Sequence, residues 1–297
     1  VGVQAKGKDG ARHSFGAPLT IDASGRDGFT INRKDWRIRD LQLNKIALWA
    51  YYRGGQRDPG LDEGATTVAY LPDKGWFWYI PLPDDTISVG ITADRDYLYR
   101  DGKDLPAIFE RQIKVNKWIE AHLAPAKPCG QYWATGDYSY RSMYCASDGL
   151  VLTGDAFAFL DPVFSSGVFL ALRGGEMVAD AADAALTAAD VSAARFCAYG
   201  QSLCDGIEAM RKLVYAFYDR AFSFGQVLHH HPQVRPDLTD CLIGNLFRDF
   251  QSLFDAVGQF AQLPQPLSHG QPWIQVPRHA GAKPAPSQSG PSKRNRR

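Results

Sequence analysis

Residues 150–187 constrain the fold most. A short apolar strand, Leu150 to Thr153, runs into Gly154-Asp155, a loop containing Pro162 follows, and Ser166-Gly167 opens an Ala-rich helical stretch to about Leu186. Strand, turn and helix in that order predict an α/β fold in which a carboxylate at a strand end and a helix N-terminus meet. Gly154 lets the backbone approach a ligand closely, and Asp155 is placed to accept hydrogen bonds from sugar or ribitol hydroxyls. Unpaired N–H groups at Ser166, Gly167 and Val168 carry the positive end of the helix dipole, which suits a flavin edge that turns negative on reduction, or a halide. The ordinary alternative is a buried strand joined to a buried helix, with Asp155 as a turn or capping residue.

A second strand end lies upstream in Thr20-Ile21-Asp22-Ala23-Ser24-Gly25-Arg26. Such an end is common in α/β proteins and means little alone. A third feature is Gly75-Trp76-Phe77-Trp78-Tyr79-Ile80-Pro81-Leu82, followed by Asp84-Asp85 and Thr86-Ile87-Ser88-Val89-Gly90. It reads as an antiparallel hairpin with Trp76, Trp78 and Ile80 on one face and Phe77 and Tyr79 on the other. Both faces are bulky, so the strand is expected to be covered on both sides.

These segments together resemble the large flavoprotein class that contains para-hydroxybenzoate hydroxylase, geranylgeranyl reductases and flavin-dependent halogenases. The Trp76, Trp78, Ile80, Pro81 spelling and the run Asp161-Pro162-Val163-Phe164-Ser165-Ser166-Gly167-Val168 are similar to the tryptophan-halogenase-like members, and the resemblance covers rather more than half of the chain. It implies FAD as cofactor, held by Asp22, Ser24, Gly25, Gly154, Asp155, Pro162, Gly167 and Val168. It also implies a halide near Ser166 and Gly167, and Trp76 and Trp78 beside a route from flavin to substrate. The implied partners are a flavin reductase supplying reduced FAD, a halide ion and an electron-rich aromatic substrate, free or tethered to a carrier protein. Within the same class, a monooxygenase or geranylgeranyl-reductase-like oxidoreductase without halide chemistry is the first alternative. An inactive fragment or split FAD module is the second.

Proteins of this class begin with a strand, a Gly-x-Gly-x-x-Gly turn and a helix that seats the pyrophosphate. The chain opens instead at Val1 in Val-Gly-Val-Gln-Ala-Lys-Gly without that turn, which leads us to expect a missing N-terminal portion. The resemblance implies that the lysine receiving the oxidised halogen belongs to that portion. Lys34, Lys45, Lys74, Lys103 and Lys114 read as solvated surface charges.

Composition narrows the class further. A hydrophobic content of 45% with 12% aromatics suffices for a real core. A net charge of +1 makes no electrostatic case for nucleic acid or a membrane surface. Five cysteines without a Cys-x-x-Cys pair read as reduced thiols in the cytoplasm, against a disulfide scaffold or structural zinc. His229-His230-His231 reads as a cluster at a helix end, so no metal is expected.

The expected architecture is a partial FAD-binding Rossmann-like domain interleaved with an antiparallel β-sheet substrate domain, plus C-terminal helices. Residues 1–29 are read as the end of the FAD-binding sheet and 30–138 as the substrate sheet. The chain then returns to the FAD-binding domain over 139–190, continues as a helical region over 191–270, and ends in a disordered basic tail over 277–297. Within these, one helix is expected over Leu105 to Leu123, and a helical pattern from Ser192 to about Leu263 carries an aromatic stripe.

Overall fold

The computed structural model describes residues 2–71, 75–136 and 138–274; the basic tail and Lys74 lie outside them. The first two strands, β1 (Gly2–Lys6) and β2 (Arg12–Gly16), form an exposed antiparallel hairpin that pairs with no other described strand. Of the first 29 residues, only β3 (Thr20–Asp22) joins a larger sheet, and α1 (Phe29–Arg33) and β4 (Arg37–Arg39) follow it.

A five-stranded antiparallel sheet comes next, built from β5 (Lys45–Arg53), β6 (Thr67–Leu71), β7 (Gly75–Leu82), β8 (Thr86–Asp94) and β9 (Lys127–Thr135) in the order β6-β7-β8-β5-β9. The hairpin β7–β8 turns at Asp84 and Asp85, which both take positive φ, 58° and 54°. Two left-handed residues twist a tight turn to match the flanking strands, and aspartate tolerates that conformation better than most residues.

Alternation along the strands separates two faces. Phe77, Tyr79, Ile87, Val89 and Ile91 point to one side, where they are buried against α2 (Arg95–Leu98), α3 (Leu105–Ile113) and α4 (Lys117–Leu123). Trp76, Trp78, Gly90 and Thr92 point to the other. The single helix expected over 105–123 is divided because the Asn116 side chain accepts a hydrogen bond from the Ile119 N–H. That bond starts a new helix in place of the turn that would continue the old one.

The chain then returns through β10 (Tyr140–Ser142), β11 (Ala146–Ser147), β12 (Leu150–Leu152) and β13 (Ala158–Phe159) to the long helix α5 (Gly167–Thr187). Helix α6 (Cys197–Tyr218) buries Tyr199, Leu203, Ile207, Met210, Leu213, Val214 and Phe217 at helical spacing. Its continuation is broken into α7 (Phe224–His230), α8 (Arg235–Leu242) and α9 (Gln251–Val257), separated by turns at 219–223, 231–234 and 243–250. His230 Nδ1 lies 2.9 Å from the Gln226 carbonyl and His231 Nε2 3.0 Å from Gln259 Oε1, so neighbouring imidazoles point to different partners. None of the described helices is long and apolar enough to cross a membrane.

Candidate functional site

Strand β12 runs parallel to β3, in a register that sets Leu152 against Asp22. Parallel pairing brings the carboxyl ends of both strands together, which is where α/β sheets present their loops. Asp22 is buried there, and its carboxylate accepts the Ser24 N–H at 3.0 Å and the Thr30 N–H at 2.8 Å. Burial pushes the Asp22 carboxyl up, but the hydrogen bonds from Thr30 and Ser24 outweigh it and hold it below the usual carboxylate range. The Ser24 hydroxyl accepts from the Phe29 N–H at 2.8 Å. Both side chains are therefore committed to fastening the turn onto the start of α1. Gly25, with φ 68°, makes that turn feasible.

Gly154 follows β12 with φ 57°. Helix α5 packs tightly beside it, since a Cβ added at Gly174 would stand 2.8 Å from Thr153 Oγ1. Asp155 is half-buried, and its backbone carbonyl accepts the Tyr140 hydroxyl at 2.7 Å. Burial raises the Asp155 carboxyl above its ordinary range, and the nearby Arg26 charge offsets part of that. No described residue hydrogen-bonds to this carboxylate, which leaves it free to accept from a ligand. Arg26 had no expected role; it donates to Thr135 Oγ1 and the Gly136 carbonyl and sits 5.0 Å over the Phe159 ring.

The 161–168 loop is held from within. Asp161 is 1% exposed and accepts the Val163 N–H at 3.2 Å, starting a short helical turn at Pro162. Ser165 takes φ 52°, Ser166 is buried at the head of α5, and Val168 is 75% exposed. Outside its chain neighbours and its own helix backbone, no atom lies within 4 Å of where a Cβ of Gly167 would be, so space opens beside the first turn of a 21-residue helix.

The tryptophan strand β7 faces this loop. Trp76 is buried among Leu43, Val163, Val214 and Phe217, with the half-buried Trp78 packed against the same cluster and its ring 5.8 Å from that of Trp76. The expectation that both faces are covered therefore holds fully at Trp76 and partly at Trp78. The Trp78 indole lies over Gly90, its register partner, and donates to Ser88 Oγ at 3.2 Å. The Trp76 indole N–H donates to the Tyr218 hydroxyl at 2.9 Å, and that hydroxyl donates to Asp161 Oδ2 at 2.9 Å. The tryptophan strand and the 161–168 loop are thus joined through Tyr218, a residue of the aromatic stripe on α6.

Lys45 departs from its expected place on the surface. It is 8% exposed, its Nζ lies 2.6 Å from Asp94 and 4.3 Å from the centre of the Tyr218 ring, and it borders a cavity of about 310 Å³ with Tyr70, Gly75 and Phe217. The cause is register, because β5 and β8 pair Lys45 with Asp94 at the sheet end that α6 covers. Lys34, Lys103 and Lys114 are exposed, as expected. Among the described residues no group of His, Cys, Asp and Glu could hold a metal ion.

A family model described as tryptophan halogenase matches residues 3–292. The chain is 30% identical over 238 residues to a 1H-pyrrole-2-carbonyl-[peptidyl-carrier protein] brominase of Pseudoalteromonas luteoviolacea (strain 2ta16), covering 79% of this chain and 57% of that protein. It is 25% identical to a corresponding chlorinase of Pseudomonas fluorescens, with 78% and 52% of the two chains covered. The solved structure of a flavin-dependent brominase superposes with a TM-score of 0.78 at 28% identity, over 88% of this chain and 65% of that one. The chain therefore spans between about half and two thirds of the length of these relatives. On the family match, which runs through almost the whole sequence, the chain belongs to the tryptophan halogenase family.

Proposed function

We propose that this chain works in a flavin-dependent halogenase, an FAD-dependent oxidoreductase that halogenates an electron-rich aromatic substrate. The observation that supports the reading is the attachment of the Trp76–Trp78 strand to the 161–168 loop, through the packing of Trp76 on Val163 and the hydrogen bonds from Trp76 through Tyr218 to Asp161, directly before the start of α5.

The residues present fit a flavin dinucleotide. Gly154 has the left-handed backbone that permits close approach, Asp155 can accept from ribitol hydroxyls, a side chain at Gly167 would meet open space, and Pro162 and Val168 are half-buried and exposed beside it. Asp22, Ser24 and Gly25 serve it indirectly, by fixing the neighbouring strand end. When bound and reduced by a partner reductase, FAD supplies the oxidising equivalent from oxygen that turns halide into an electrophilic halogen.

The remaining roles belong to the chain. Backbone N–H groups at Ser166 and Gly167 hold the halide, because a helix N-terminus stabilises an anion without offering a base. Trp76 and Trp78 exclude water along the route to the substrate. The names of two relatives favour a pyrrole carried on a peptidyl carrier protein as the substrate class. Five unpaired cysteines suit a reducing cytoplasm.

The test is to supply the native protein with reduced FAD, oxygen, bromide or chloride and an aromatic acceptor. Halide-dependent incorporation of halogen supports the reading, whereas hydroxylated product without halogen would make it a monooxygenase. In the same protein, Asp155→Ala is expected to weaken FAD binding about 10- to 100-fold, the loss of one or two hydrogen bonds to a charged acceptor. Unchanged flavin retention would remove the ribitol from this residue.

A further inference from the structure

The chain of hydrogen bonds from Trp76 through Tyr218 to Asp161 crosses three elements that are distant in sequence, β7, α6 and the 161–168 loop. We propose that Tyr218 is a positioning residue, whose hydroxyl sets how firmly the Trp76 indole is held according to whether Asp161 is ionised. The geometry alone supplies the link. A phenol that donates to a carboxylate carries more negative charge on its oxygen, and so accepts more strongly from the indole N–H. When Asp161 is protonated, its own O–H can donate to that oxygen, and the Trp76 bond weakens.

The surroundings permit this switch at accessible pH. Burial pushes the Asp161 carboxyl up to about 6, with hydrogen bonds from Tyr218 and the Val163 N–H offsetting part of the rise. The other titratable groups that face it are Tyr218 itself, Tyr138 ahead of β10, and Lys45 on β5 with its partner Asp94. Burial raises both phenols well above their ordinary range, so neither ionises while Asp161 titrates. Asp161 is the group that changes charge.

The catalytic consequence rests on the halogenase reading; the hydrogen-bond relay does not. Trp76 abuts Trp78 and Val163, so on that reading a loosened indole would admit water to the route assigned to the two tryptophans. Halogenated product formed per flavin oxidised is then expected to fall as pH drops through the Asp161 midpoint. Tyr218→Phe, which keeps the ring and removes the link, is expected to give a low yield with no such pH step.

The deciding measurement is the indole N–H resonance of Trp76 in native protein labelled with ¹⁵N-tryptophan, assigned by its loss in Trp76→Phe and followed between about pH 4.5 and 7.5. In the wild type it should titrate once with a midpoint near 6. In Tyr218→Phe it should move upfield and lose at least about two thirds of its titration amplitude, and in Asp161→Asn it should stop titrating. A flat wild-type resonance, or one that titrates unchanged in either variant, overturns the proposal. Absence of halogenated product from the wild type would instead overturn the functional reading, while the resonance still decides the relay.

Discussion

Replacing Glu208 with alanine is expected to destabilise the protein by about 3–5 kcal/mol, the range for breaking a buried ion pair. Glu208 lies on α6 and faces two arginines: Arg141 Nη1 donates to its Oε1 at 2.9 Å, and Arg211 Nη1 donates to its Oε2 at 3.2 Å. Arg141 and Arg211 have side chains only 2% and 7% exposed. Arg211 keeps a second carboxylate, Asp40, at 3.1 Å, but among the described residues Arg141 keeps only the Leu267 carbonyl, at 2.8 Å. The truncation therefore strands a buried guanidinium that has no other counter-charge among the described residues. Burial alone would lower the Arg211 pKa, but Glu208 and Asp40 hold it above the usual guanidinium value.

The same carboxylate fastens α6 to β10 and to the 265–269 segment, which line a cleft of about 630 Å³. A denaturant titration reads the loss as a lower midpoint. Glu208→Gln is expected to fall between wild type and alanine, since it retains an acceptor and loses the charge. A loss below about 1 kcal/mol for Glu208→Ala would mean that the arginines find water or other partners, and that this network contributes little.

The second large effect is expected at Gly90. A side chain there has no room, because its Cβ would coincide with ring atoms of the Trp78 indole that lies across it. Gly90 is buried in the middle of the sheet, registered with Trp78 on β7 and Trp49 on β5. Gly90→Val must push the Trp78 ring off the sheet and break its bond to Ser88, at a cost of about 1–3 kcal/mol for overpacking. Displacement should also expose the indole, which shifts tryptophan emission to longer wavelength. Gly90→Val should cost clearly less when introduced beside Trp78→Ala than in the wild type, because the ring that causes the clash is then absent. Gly90→Val with wild-type stability and emission would show that Trp78 is not held where it lies.

Much of the fold was legible because the signals are local. Alternation at Gly75–Leu82 and Thr86–Gly90 implied a hairpin, and Asp84-Asp85 marked its turn, since side-chain direction in a strand repeats every two residues. The stripe Tyr199, Leu203, Ile207, Met210 implied a helix with one buried face. Gly154 and Gly167 stood out because glycine marks backbone that other residues reach with strain or at the expense of space. Local pattern was less reliable at helix ends. Asn116 divided a helix whose apolar spacing runs on through it, because one side-chain hydrogen bond outcompetes continuation of a weak turn.

The sequence by itself determined the tryptophan hairpin, the long helix after Ser166, the aromatic stripe of α6, the family-bearing motifs and the carboxylate at the end of β12. Tertiary structure alone decided that Asp22 and Ser24 fasten a turn, that Lys45 is buried against Asp94 and Tyr218, and that Tyr218 joins Trp76 to Asp161. The physical reason is one of range. Periodicity and turn chemistry act over a few residues and are written in consecutive positions, whereas the partner of a buried polar group is chosen by strand register and helix packing between segments far apart in the chain.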